Sequence, residues 1–215
     1  MAALKIDPKE TAVLVIDMQN GFCHPEGTLA KDGSDITMMR GIIPNVKRLL
    51  EICREHRIAD FWTIQEHHAL DRTRELHKIV PHTMKRFRPP CLKGTWDAEV
   101  VDELKPFVTK DSHLLRKQKF SAFYNTNLEV MTRVLGVRNL IVCGVSTNAC
   151  VETSLREAYM RDYDIIIPQD CIGGLRQDWH DFAVSVWSRF IGLVIKLDEL
   201  PEMIARPKVA ATVNA

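Results

Sequence analysis

The chain has no excess of either charge: 29 Lys and Arg stand against 28 Asp and Glu. No net field therefore favours nucleic acid or an anionic membrane as a partner. It also lacks any run of 18 apolar residues, and its opening decapeptide, MAALKIDPKE, has no apolar stretch of the secretory kind. Neither a spanning helix nor a signal peptide is expected, and the reading is of a cytoplasmic protein. Its cysteines are few (Cys23, Cys53, Cys91, Cys143, Cys150 and Cys171) and none belongs to a C-x-x-C pair. A reducing compartment disfavours a disulfide framework, so each reads as a free thiol, most of them as small buried hydrophobes. Internal repeats and low-complexity tracts are absent.

What is present is an alternation. Runs rich in β-branched residues (TAVLVID, 11–17; IADFWTI, 58–64; HLLRK, 113–117; NLIVCG, 139–144; YDIII, 163–167; GLVIKL, 192–197) are separated by longer segments, several with helical period. Helices are expected over 42–56, with Ile43, Val46, Leu49, Leu50 and Cys53 on the core side, over 127–136 and over 149–162. This order predicts βαβ units: an α/β, three-layer, Rossmann-like fold around a mainly parallel, six-stranded sheet. With 46% hydrophobic residues in 215, one domain over 1–205 is expected, followed by a flexible tail at 206–215. Residues 65–97, rich in His, Arg, Lys and Pro, break the rhythm and read as a lid or specificity loop.

In open parallel sheets ligands gather beyond the carboxyl ends of the strands. Three reactive side chains are expected there: Asp17 ends the first strand, Lys117 ends the third, and Cys150 follows the fourth within six residues in GVSTNAC. A cysteine at a helix start meets unpaired N–H groups and the positive end of the helix dipole, and a nearby ammonium acts in the same sense, both favouring thiolate. Asp17 then serves as the acid/base partner of a nucleophile, and the turn's amides serve an oxyanion.

These residues, in the segments VIDMQNGF, KQKFSAFYNTNLE and GVSTNACVETSLREAYMRDYDIIIPQDC, resemble the isochorismatase-like cysteine hydrolases, a family that includes N-carbamoylsarcosine amidase, nicotinamidase, and ureidoacrylate and biuret amidohydrolases. The resemblance implies a triad of Asp17, Lys117 and Cys150, a cis peptide between Val145 and Ser146, and an oxyanion site at the Ser146 and Cys150 amides. Lys117 matches the family lysine, four residues before Ser121. Retention of the cysteine favours C–N hydrolysis over cleavage of isochorismate. Nicotinamidases carry an Asp-x-His metal pair where this chain reads TIQEHH; Gln65 replaces the Asp, so no metal and no other cofactor is expected, with Glu66, His67 and His68 the residues nearest to that pattern. The stretch 89–106 is similar to ureidoacrylate amidohydrolases and implies a small ureido, carbamoyl or amide substrate. Gln19, Phe22, Trp96, Phe123, Tyr124 and Asn125 are candidates to bind it. The basic residues Lys85, Arg86, Arg88 and Lys93 are either a wet surface or a site for a substrate carboxylate. A homo-oligomer is expected. Nicotinamidase-like or isochorismatase-like specificity, and a non-catalytic thiol-bearing binding protein, stand as alternatives.

Overall fold

A computed structural model describes residues 5–70 and 89–205. Its sheet contains the six expected strands, β1 (Thr11–Ile16), β2 (Ala59–Gln65), β3 (His113–Lys117), β4 (Asn139–Val145), β5 (Asp164–Pro168) and, near the end, β7 (Leu193–Ile195). It adds a two-residue strand, β6 (Ile172–Gly173), pairing with the end of β4, so the sheet has seven strands rather than six. The order is β3-β2-β1-β4-β5-β7, every pairing parallel. The short run Ile172–Gly173 is too brief for a periodic signal.

Both faces of the central strands are covered, which is why they read as continuously apolar. Side chains alternate across a strand. Val13, Val15, Ile141 and Cys143 accordingly face Val46, Leu49, Leu50 and Cys53 of one helix layer, whereas Ala12, Leu14, Ile16, Leu140 and Val142 face Leu128, Leu155, Ala183 and Trp187 of the other. The helices are α1 (Asn20–Cys23), α2 (Thr28–Lys31), α3 (Thr37–Gly41), α4 (Ile43–Glu55), α5 (Leu128–Val134), α6 (Glu152–Tyr159), α7 (Gln177–Phe190) and α8 (Leu200–Met203). Among the described residues no helix is long and apolar enough to cross a membrane. The tail 206–215 and the basic residues Lys85, Arg86 and Arg88 lie outside the described residues.

Two local features place the carboxyl ends of β1 and β4 side by side. Asp17 leaves β1 with φ 51, a left-handed conformation that aspartate adopts more readily than most residues. Gly144, with φ +113, lies so close to β1 that a Cβ there would sit 2.1 Å from the Ile16 carbonyl oxygen. Any side chain would collide with backbone at this point. Glycine thus lets the end of β4 press against the end of β1, with Asp17 next in line.

Candidate active site

Lys117 reaches the site because β3 is an edge strand that alternates: Leu114 and Arg116 are exposed while Leu115 and Lys117 are buried. Its ammonium is completely enclosed. It donates to Asp17 Oδ2 at 2.7 Å, to Gln65 Oε1 at 2.7 Å and to the Lys119 carbonyl at 3.1 Å, and lies 3.4 Å from Cys150 Sγ. Asp17 is held from its other side, since Thr63 Oγ1 donates to Oδ1 at 2.6 Å and itself accepts from the Asp17 backbone N–H. Carboxylate, ammonium and thiol therefore form one buried, hydrogen-bonded cluster.

Cys150 sits in a single π-helical turn, Thr147–Val151, that precedes α6. The Val145–Ser146 peptide before it is cis, and the Ser146 carbonyl accepts from both Ala149 and Val151 N–H groups. Several side chains pin this turn. Thr147 Oγ1 meets His180 Nδ1 at 2.9 Å, and Asn148 Nδ2 donates to the Trp179 carbonyl at 3.3 Å. Ser154 Oγ donates to the Cys150 carbonyl at 2.6 Å and accepts from Ala122 N–H at 2.9 Å. That last relay ties the Ser121-Ala122-Phe123 segment to the turn carrying the thiol.

The electrostatics differ from the sequence expectation in one respect. Burial pushes the Cys150 thiol up to about 12, with Lys117 pulling it down and Asp17 pushing it further up. The thiol therefore rests protonated at neutral pH rather than as thiolate. The reason is that Lys117 is already matched: burial works against its charge, but Asp17 and Cys150 outweigh that and raise its pKa. An ammonium already paired with a carboxylate has little attraction left for a second anion, and a fully buried thiolate lacks water.

Replacing Lys117 by Met removes one partner of a buried ion pair and leaves the Asp17 charge without its cation. The expected cost is about 3–5 kcal/mol of stability at neutral pH. Urea unfolding midpoints of wild type and variant at pH 7 check this; an unchanged midpoint would contradict it.

The cluster forms the floor of a cavity of about 810 Å³. Phe22, Leu29, Met39, Leu175 and Trp179 supply apolar wall, and Asn148 and Thr153 supply polar groups. Of the residues expected to bind substrate, Phe22 and Tyr124 line this cavity; four are placed elsewhere. Gln19 is wholly buried, its amide donating to the Gln65 and Ala98 carbonyls and accepting from Gln65 N–H, so it braces β2. Trp96 packs edge-on against His24 and gives its carbonyl to Asn20. Phe123 packs in the core against Tyr163 beneath Arg161. Asn125 lies in an exposed turn with φ 54. Lys93 is exposed and pairs with Glu66.

Thr63, Gln65, Thr147, Ser154 and His180 support the cluster without having been singled out as site residues. Thr63 and Gln65 left a signal, being polar residues two apart, and so on one face, at the carboxyl end of β2. Gln65 also settles how TIQEHH is used. Its amide oxygen accepts from Lys117 and its nitrogen contacts His67 Nε2 at 3.1 Å. Glu66 is engaged by Arg116, Lys93 and His68. Among the described residues no three His, Cys, Asp or Glu side chains are grouped to hold a metal. These residues do not fit a metal centre, and no step below uses one.

The isochorismatase domain model matches residues 11–199. The chain belongs to the isochorismatase family. Within it, the chain is 32% identical over 218 residues to the ureidoacrylate amidohydrolase RutB of Agrobacterium fabrum, covering 94% of this chain and 93% of that protein. It is 34% identical over 211 residues to the protein of the same name from Rhizobium rhizogenes, covering 91% and 84%. Among isochorismatase-fold structures, a cysteine hydrolase from Pseudomonas syringae superposes with a TM-score of 0.78 at 25% identity, covering 92% of this chain and 93% of that one.

Proposed function

We propose that this member of the isochorismatase family is a cysteine-dependent amidohydrolase that cleaves a C–N bond of a small ureido, carbamoyl or amide substrate through a thioester. The observation that carries the reading is the contact of one ammonium with both other groups: Lys117 Nζ lies 2.7 Å from the Asp17 carboxylate and 3.4 Å from Cys150 Sγ. Moving the thiol proton to Asp17 turns an ammonium–carboxylate pair into an ammonium–thiolate pair. The cluster's net charge is unchanged, so the nucleophile forms in a dry site without creating an unpaired charge.

The thiolate sulfur then attacks the acyl carbon, whose oxygen becomes an anion facing the amides of Ser146 and Cys150. Asp17 gives its proton to the departing nitrogen as the C–N bond breaks, leaving an S-acyl or S-carbamoyl enzyme. Water attacks that carbon and loses a proton to Asp17. The C–S bond breaks and the proton returns to sulfur, restoring the resting state.

The match over residues 11–199 supports reading 1–205 as a single hydrolase domain, and six free thiols support the cytoplasmic setting. Substrate class rests on the similarity to ureidoacrylate amidohydrolases. Ammonia release across a panel of ureido acids, carbamoyl amines, biuret and nicotinamide tests it. Turnover of ureido or carbamoyl compounds without nicotinamide is expected; nicotinamide as the sole substrate would overturn the substrate assignment.

A further inference from the structure

Thr63 reaches the cluster by strand alternation. Phe61, Thr63 and Gln65 share one face of β2, the face on which Phe61 packs in the same apolar layer as Cys150. Thr63 stands opposite Ile16 in the β1–β2 register, so its side chain meets the neighbouring chain just where β1 gives way to Asp17. It is 1% exposed, and a buried hydroxyl is costly unless its hydrogen-bonding capacity is used.

Both sides of this hydroxyl are used by one residue. Thr63 Oγ1 accepts from the Asp17 N–H at 3.1 Å and lies 2.6 Å from Asp17 Oδ1. An ionised carboxylate can only accept, so the hydroxyl proton lies in the shorter contact. Lys117 holds the other oxygen, Oδ2, at 2.7 Å. The carboxylate is thus gripped at both oxygens, and its own amide is fixed by the same threonine. A donor on Oδ1 stabilises the anion relative to the neutral acid. In the cycle described above Asp17 takes up a proton twice and gives it back twice. With the Thr63 donor in place, uptake from the thiol is harder and return to the departing nitrogen is easier.

We propose that Thr63 is a positioning residue that keeps Asp17 acidic enough to protonate the leaving nitrogen and, by the same hydrogen bond, keeps the thiol protonated in the resting enzyme. The inference rests on the roles given to Asp17 and Cys150 above, and it assigns Thr63 the balance between them. Besides Lys117 and Cys150, the thiols of Cys23 and Cys91 lie near Asp17; burial raises both, so they hold their protons at acid and neutral pH. His67 meets the cluster through Gln65 and is common to every variant below.

Alkylation of Cys150 by iodoacetamide from about pH 5 to 9, read by mass spectrometry of the peptide carrying Cys150, tests this without a substrate. Thr63→Val, which keeps the branched shape and removes the hydroxyl, should react about tenfold faster at neutral pH, with the acid limb of the profile about one pH unit higher. Its kcat on any compound of the panel that is turned over should fall about tenfold, because the proton is returned less readily. Thr63→Ser, which keeps the hydroxyl, should follow the wild type in all three readings. Thr63→Ala supplies a second hydroxyl-free variant, expected to behave as Thr63→Val, with circular dichroism as the folding control for each. Alkylation of the folded hydroxyl-free variants at the wild-type rate or below it, or a Thr63→Ser profile that matches theirs, would overturn the proposal. Faster alkylation in an enzyme that turns over no panel compound would support it while counting against the substrate class.

Discussion

Cys150→Ala is expected to lower kcat/KM by about 10⁴-fold or more, since among the described residues Cys150 is the one thiol lining the cavity. The fold should survive, because the change trims a small side chain from a turn held by Thr147, Asn148 and Ser154. Cys150→Ser should fare little better. A serine hydroxyl is far less acidic than a thiol, so the proton transfer that arms the nucleophile becomes far more costly. Ammonia release at saturating enzyme, with circular dichroism and a urea midpoint as folding controls, decides the matter. A folded Ala variant keeping a tenth of wild-type activity would end the nucleophile assignment, whereas wild-type inactivity on every compound in the panel would bear on the substrate alone.

The second large effect concerns pH. Burial raises the pKa of all six cysteine thiols above the ordinary value of 9.0. A group whose folded pKa is raised keeps its proton in the folded state while the unfolded chain releases it. The stabilisation is therefore complete below pH 9 and is lost as pH climbs from there towards the folded values. Each thiol contributes a loss of up to about 1.4 kcal/mol per pH unit in that window. Six acting together can cancel a typical stability of about 5–15 kcal/mol within roughly one to two pH units. Urea midpoints should be flat from pH 7.5 to 8.5 and fall steeply by pH 10, and Cys53→Ala should reduce the slope. A midpoint that stays level to pH 10.5 would contradict the burial of these thiols.

Much of the scaffold was legible because its signals are local. The strands at 11–16 and 139–145 are short, rich in β-branched residues and bounded by polar ones, and α4 places Ile43, Val46, Leu49, Leu50 and Cys53 on one buried side as its period implies. Helix α7 was not, because its apolar residues, from Trp179 to Phe190, spread over too much of its circumference to show a clean 3.6-residue period. Helices α1 to α3, of four or five residues each, are too short to have one. The Asp17, Lys117 and Cys150 cluster followed from strand-end geometry. The cavity wall did not, because whether a neighbouring aromatic turns inward depends on tertiary packing: Tyr124 lines the cavity, while Phe123, its neighbour in the chain, belongs to the core. The upward shift of the Cys150 pKa was not legible for a related reason. Helix-end and charge arguments are local, and the enclosure that outweighs them is a property of the whole assembly.

The placement of Lys117 has a consequence for endurance. Asp17 and Cys150 follow strands in the middle of the sheet, but the ammonium hangs from β3, which among the described residues is outermost and bonded to a neighbour on one side only. Peripheral strands are where partial opening costs least. Transient fraying of five residues at the margin would therefore pull the ammonium away from Asp17 and Cys150 while the body of the molecule stays intact. The lifetime of the competent state is governed by how firmly that margin is fastened.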